Sequence, residues 1–246
     1  MATTLPTRNI LGVTIHALSQ QQALEHLATT ALQGGRQQVV ATANAEMVML
    51  ARADAGFAAL LAAADLVVPD GAGVVWAARH QGNPVPERVP GVDLTQALLA
   101  HAARNGQKIF FFGAAPGVAA EAARRAGDRF PGLQVAGVRD GYFSASETQE
   151  IVAMINASGS ELLFVALGVP KQEQWIQANR TALAPRIIMG VGGTLDVMAG
   201  RVKRAPVWMQ RFSLEWLYRL LCQPSRFIRM LALPRFVAAV LFDKKR

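Results

Sequence analysis

Ile109-Phe-Phe-Phe-Gly113 and Leu162-Leu-Phe-Val-Ala-Leu-Gly168 decide the fold. Each is short, apolar at every position and closed by glycine, which suits a strand covered on both faces. Outward from these two, further apolar runs bounded by Gly, Pro or Asn alternate with Ala-rich stretches at helical spacing, as when strands and covering helices take turns. Strands are expected at Gln38–Ala43, Leu66–Val68, Lys108–Gly113, Gln134–Arg139, Glu161–Leu167 and Arg186–Val191. Helices are expected near Ser19–Leu32, Glu46–Ala53, Phe57–Ala64, Gly73–Arg79, Val92–Asn105, Gly117–Arg129, Ser146–Ala157, Lys171–Asn179 and Leu195–Ala199. The fold class is therefore α/β with a parallel sheet, and ligands of such a sheet bind beyond the carboxyl ends of its strands.

At 246 residues with 52% hydrophobic content, the chain can build one sizeable core with an appendage. Its single cysteine, Cys222, asks for no oxidising compartment. Residues 1–18 lack the charged-then-apolar layout of a secretion signal, and no run offers about 18 uninterrupted apolar residues. The expectation is a cytoplasmic protein that does not span a bilayer. Residues 201–246 hold eleven Lys or Arg against Glu215 and Asp243, a net +9, while residues 1–200 hold 14 basic against 15 acidic residues. Two parts follow: a Rossmann-like catalytic domain over 1–200, and a basic helical C-terminal appendage over 201–246. The appendage mixes Trp208, Phe212, Trp216 and Phe236 with its cations and carries the aliphatic run Met230-Leu-Ala-Leu233, the composition of helices lying in an anionic membrane surface. That run favours lipid over nucleic acid as the partner.

Four loops follow expected strands: Thr42-Ala-Asn44-Ala-Glu46, Pro69-Asp70-Gly71, Gly168-Val-Pro-Lys171-Gln172-Glu173-Gln174 and Gly190-Val-Gly192-Gly193-Thr194-Leu-Asp196. In a parallel sheet they leave one edge, so their polar groups can converge on one ligand. The glycine turn before a helix suits a diphosphate, because backbone N–H groups can approach it there. It also suits a tight strand-to-helix turn, and Asp-Gly and Asn are ordinary turn and cap residues. Gly113-Ala-Ala-Pro-Gly117 lacks the later acidic ribose reader of a dinucleotide site and is read as packing. The four histidines are scattered and no Asp-x-Asp pair exists, so neither a metal nor another cofactor is expected. A nucleophile elbow is absent, which disfavours hydrolase chemistry.

Taken in order, Thr42-Ala-Asn44-Ala-Glu46, Pro69-Asp70-Gly71, Arg88-Val-Pro-Gly91-Val-Asp93, Phe112-Gly113-Ala-Ala-Pro, Gly168-Val-Pro-Lys171-Gln172-Glu173 and Gly190-Val-Gly192-Gly193 resemble the WecG/TagA/CpsF glycosyltransferase family, from about Ile10 to Met230. The resemblance implies an inverting transferase that moves a sugar, N-acetylmannosamine in TagA-like members, from a UDP donor to a polyprenyl-diphosphate-linked acetamido sugar in cell-surface polymer synthesis. By the same resemblance Asp70 is the catalytic base, and Thr42, Asn44, Arg88 and Gln172 line its pocket. Tyr142 and Asp196 lie near the nucleotide, with Gly168, Lys171, Gly192 and Gly193 on the donor side. Arg219, Arg226 and Arg229 are the appendage arginines brought over the site at the inner face of the bacterial plasma membrane.

The donor stays open between N-acetylmannosamine, its uronic acid and glucose, and a homo-oligomer stays open as well. Two rivals use the same sheet. One is a membrane-recruited nucleotide sensor without turnover; the other is a methyltransferase or dehydrogenase, which would bind an adenine cofactor.

Overall fold

A computed structural model describes residues 5–212, 214–222 and 230–242. The chain opens with a hairpin, β1 (Thr7–Ile10) and β2 (Val13–His16), and then builds a six-stranded parallel sheet. Its strands are β3 (Gln38–Ala43), β4 (Leu66–Pro69), β5 (Lys108–Gly113), β6 (Gln134–Arg139), β7 (Leu162–Ala166) and β8 (Ile187–Gly190), in the spatial order β4-β3-β8-β7-β5-β6. All five pairings are parallel. Every strand read from the sequence is present, and the hairpin is an addition.

The helices are α1 (Gln20–Leu27), widening into a π-helical turn over Ala28–Gln33, α2 (Ala45–Ala53), α3 (Ala55–Ala62), α4 (Ala72–His80), α5 (Gly91–Asn105), α6 (Val118–Arg129), α7 (Thr148–Ala157), α8 (Lys171–Asn179) and α9 (Thr194–Met198). Among the described residues three more follow the sheet: α10 (Val207–Arg211), α11 (Glu215–Cys222) and α12 (Ala232–Phe242). Local chemistry sets several starts. Ser19 and Gln22 close a capping box on α1, Asn44 caps α2, and Asp54 accepts from the N–H groups of Gly56 and Phe57 to begin α3.

Alternation along the strands divides the core. Phe111 and Phe164 pack under α1, α5, α6 and α9, whereas Phe110, Phe112 and Leu163 face Trp175 and Ile176 of α8 and Ile151 and Ile155 of α7. A third cluster joins the hairpin to α2, α3 and α4, and α12 adds Phe236 and Val240 to it. Among the described residues, no helix is long and apolar enough to cross a membrane.

Strand order places the site. β4, β3, β8 and β7 are consecutive neighbours, so the four polar loops that follow them stand side by side at one edge of the sheet.

Candidate active site

A polar cleft of about 130 Å³ opens at that edge, lined by Thr42, Asn44, Asp70, Gln172, Gly192 and Gly193. Asp70 is fixed from its backbone outward. Its N–H donates to the Ala43 carbonyl at 2.8 Å, and its Oδ2 accepts from the Gly91 N–H at 3.3 Å. Gly91 can come this close because it lacks a side chain: a Cβ there would lie 3.1 Å from Thr42 Oγ1. Asn44 accepts from the Met47 N–H through Oδ1 at 3.0 Å, and its Nδ2 has no hydrogen-bond partner among the described residues.

Gln172 is 3% exposed and spans two elements. Its Oε1 accepts from the Gly192 N–H at 3.0 Å, and its Nε2 donates to Glu173 Oε1 at 2.8 Å. A Cβ on Gly190 would sit 2.8 Å from that Nε2, so the bare strand end makes room for the amide. Glu173 Oε2 is buried with no hydrogen-bond partner among the described residues, and burial pushes the Glu173 carboxyl up to about 7.

A second cleft, of about 470 Å³, shares Asn44, Glu46, Asp70 and Glu215 with the first. Its other wall is apolar, from Trp216 of α11 and Leu233, Pro234 and Val237 of α12. Arg88 lines it and is ion-paired with Glu215. Arg204 reaches Glu215 through Nε at 3.3 Å and grips Asp93 with both Nη groups at 2.5 and 2.7 Å. The four charges form one chain that ties α11 to the start of α5.

Tyr142 and Lys171 stand elsewhere. With Ala114, Ala115, Gln174 and Trp175 they line an open cavity of about 1280 Å³ at the carboxyl ends of β5 and β7. The segment from Leu167 to Gln172 separates it from the polar cleft, where Gly168 sits at φ +77°. Gly113, at φ +120°, is a packing glycine, since a Cβ would lie 2.4 Å from the Ala166 carbonyl oxygen. Its neighbours Ala114 and Ala115 nonetheless face the cavity.

Asp196 is in the first turn of α9 and lines neither cleft nor this cavity. Arg226 and Arg229 lie outside the described residues, as does the side chain of Arg219. Sequence reasoning counted Glu215 only as a tail acid and read Trp216 and the run Met230-Leu-Ala-Leu233 as membrane-facing, whereas in the structure Glu215, Trp216, Met230 and Leu233 line a cleft beside Asp70. It also passed over Glu46, which stands inside a quoted motif. Among the described residues, no group of three or more His, Cys, Asp or Glu could hold a metal ion.

The family described as "Glycosyl transferase WecG/TagA/CpsF" matches residues 8–246. The chain is 41% identical over 218 residues to an N-acetylglucosaminyldiphosphoundecaprenol N-acetyl-beta-D-mannosaminyltransferase of Bacillus spizizenii, covering 89% of this chain and 84% of that protein. It is 35% identical over 207 residues to a Bacillus subtilis protein of the same name, covering 84% of this chain and 80% of that protein.

Proposed function

Since the chain belongs to the WecG/TagA/CpsF glycosyl transferase family, we propose that it transfers N-acetylmannosamine from a UDP donor to an N-acetylglucosaminyl-diphosphoundecaprenol acceptor, with inversion and with Asp70 as base. The observation that carries this reading is that Asp70 belongs at once to a polar cleft and to an apolar one. A transferase that joins a nucleotide sugar to a lipid-linked sugar needs such a junction. The glycine turn at Gly192 and Gly193 suits the donor diphosphate, and the wall of Trp216, Leu233 and Val237 suits the first prenyl units of the acceptor.

In the step proposed, the acceptor hydroxyl gives its proton to the Asp70 carboxylate as its oxygen bonds to the anomeric carbon. The bond from that carbon to the diphosphate oxygen breaks, and UDP leaves with the electron pair. Backbone N–H groups and cations meet the leaving charge without a divalent ion. Tyr142 and Lys171 extend the donor side towards the large cavity, which gives the nucleoside room. The basic tail holds the enzyme against the anionic inner face of the membrane, where the acceptor resides.

Asp70→Asn tests the base. UDP binding by calorimetry should stay within about twofold of wild type, while turnover on the lipid acceptor should fall by about 10²-fold or more. Undiminished turnover would remove Asp70 from the role.

A further inference from the structure

Away from these clefts, α5, α6, α9 and the segment after them enclose a cavity of about 540 Å³. Arg125, Arg129, Lys203 and Arg204 line it with Gln96, and no acid lines it among the described residues. Its apolar surface comes from Ala126, Phe130, Val197 and Met198.

The four cations differ in their commitments. Arg204 is spent on Asp93 and Glu215. Arg125 gives Nε to Glu121 at 2.6 Å, while its Nη1 lies over Gly200, where a Cβ would come within 2.2 Å of it. Gly200, at φ +71°, therefore lets that guanidinium lie across the cavity wall. Arg129 stands 5.4 Å from the Phe130 ring centroid. Neither Arg129 nor Lys203 has a hydrogen bond or ion pair among the described residues.

Arg125 and Arg204 already have carboxylate partners, so the like charges whose repulsion an anion would relieve are those of Arg129 and Lys203. Arg129 lies in the last turn of α6, where the helix dipole favours a cation, but the dipole accounts for neither Lys203 nor the lie of Arg125. Arginine forks and a lysine point charge around an apolar patch match a phosphate group carried on a partly apolar body. The volume falls in the range of about 300–1,000 Å³ usual for small-molecule sites.

We propose that this cavity is a second anion site, distinct from the transferase cleft, which takes a phosphate ester or diphosphate, either free or as the headgroup of an anionic lipid. Arg204 lines it and also holds Glu215, so an occupant would adjoin the charge chain that ends at Arg88.

Two probes are titrated into the full chain: inorganic pyrophosphate by calorimetry, and phosphatidylcholine vesicles with and without phosphatidylglycerol by sedimentation. Binding in the transferase cleft is common to all variants, and Arg129 lies in the body outside the tail, so the readout is the change produced by Arg129→Ala, alone and with Lys203→Ala. Loss of two charge-assisted contacts should weaken affinity roughly tenfold or more. Weakening in the pyrophosphate arm assigns the site to soluble phosphates, and weakening confined to phosphatidylglycerol vesicles assigns it to a lipid headgroup. Lys203→Glu alone, at an exposed residue with no hydrogen bond or ion pair among the described residues, should shift the same arm in the same direction. The proposal is overturned if neither arm changes, or if the matched loss of Arg36 and Arg52, which lie outside this cavity and both clefts, weakens binding equally.

Discussion

Glu173 holds a proton that an exposed glutamate would have lost well below neutral pH. The residue is 8% exposed, and desolvation raises its carboxyl from 4.5 to about 7, against the opposing pull of the Gln172 amide. The unfolded chain releases this proton near 4.5 and the folded chain only near 7. The contribution to stability is therefore complete below 4.5 and is lost as pH rises through about 7, by a total on the order of 3 kcal/mol. Urea unfolding at about pH 5 and about pH 8 should show that decline, and Glu173→Gln should flatten it; an equal decline in the variant would assign it to another group. The effect bears on the site because Glu173 orients Gln172, which in turn holds the Gly192 N–H. At this scale the sequence was half legible. Lys171-Gln172-Glu173 stood out as polar residues after a strand, but helical geometry turns Gln172 and Glu173 inward while Lys171 and Gln174 stay exposed.

Among the elements, α12 joins the tail to the body. Phe236 is fully buried against Gly73, where a Cβ would lie 3.5 Å from the phenyl ring, and Val240 is 3% exposed in the same cluster. Phe236→Ala should cost about 3–5 kcal/mol in chemical denaturation, the range for removing a fully buried phenyl group. A loss below about 1 kcal/mol would mean that α12 does not stay docked in solution. A truncation near Gly200 would open this core as well as remove charge, so point substitutions separate stability from membrane attachment more cleanly. The sheet was the most legible part of the chain. Gln38–Ala43, Lys108–Gly113 and Gln134–Arg139 have the bounds read from the sequence, because each run ends where the backbone must turn at the site edge. The β1–β2 hairpin was not legible. Its strands have four residues each, and its two-residue turn is Leu11-Gly12, with φ of +51° and +94°, in place of the usual Asn-Gly signal. Asn9 supplies the missing turn chemistry from outside the turn, accepting from the Gly12 N–H at 2.9 Å.

Across the whole molecule, the split between a near-neutral body and a cationic tail could be read from the sequence, since charge counts do not depend on folding. What could not be read is that one of the tail's two acids would decide how the parts meet. Glu215 begins α11, lines both clefts and binds Arg88 from before α5 and Arg204 from after the sheet. A pairing 127 residues apart leaves no local pattern, and Arg88 and Glu215 face each other only once β4 has delivered its loop to the site edge. With side chains 22% and 14% exposed, the pair is screened less than a surface bridge, and removing either partner leaves a charge in a partly dry cleft. Arg88→Ala and Glu215→Ala should each lower stability, and the double variant should lose less than their sum, by about 1–2 kcal/mol of coupling. A double-mutant cycle in urea measures this directly. Strict additivity would show that the two groups do not act together in solution and that Arg204 is the charge partner of Glu215.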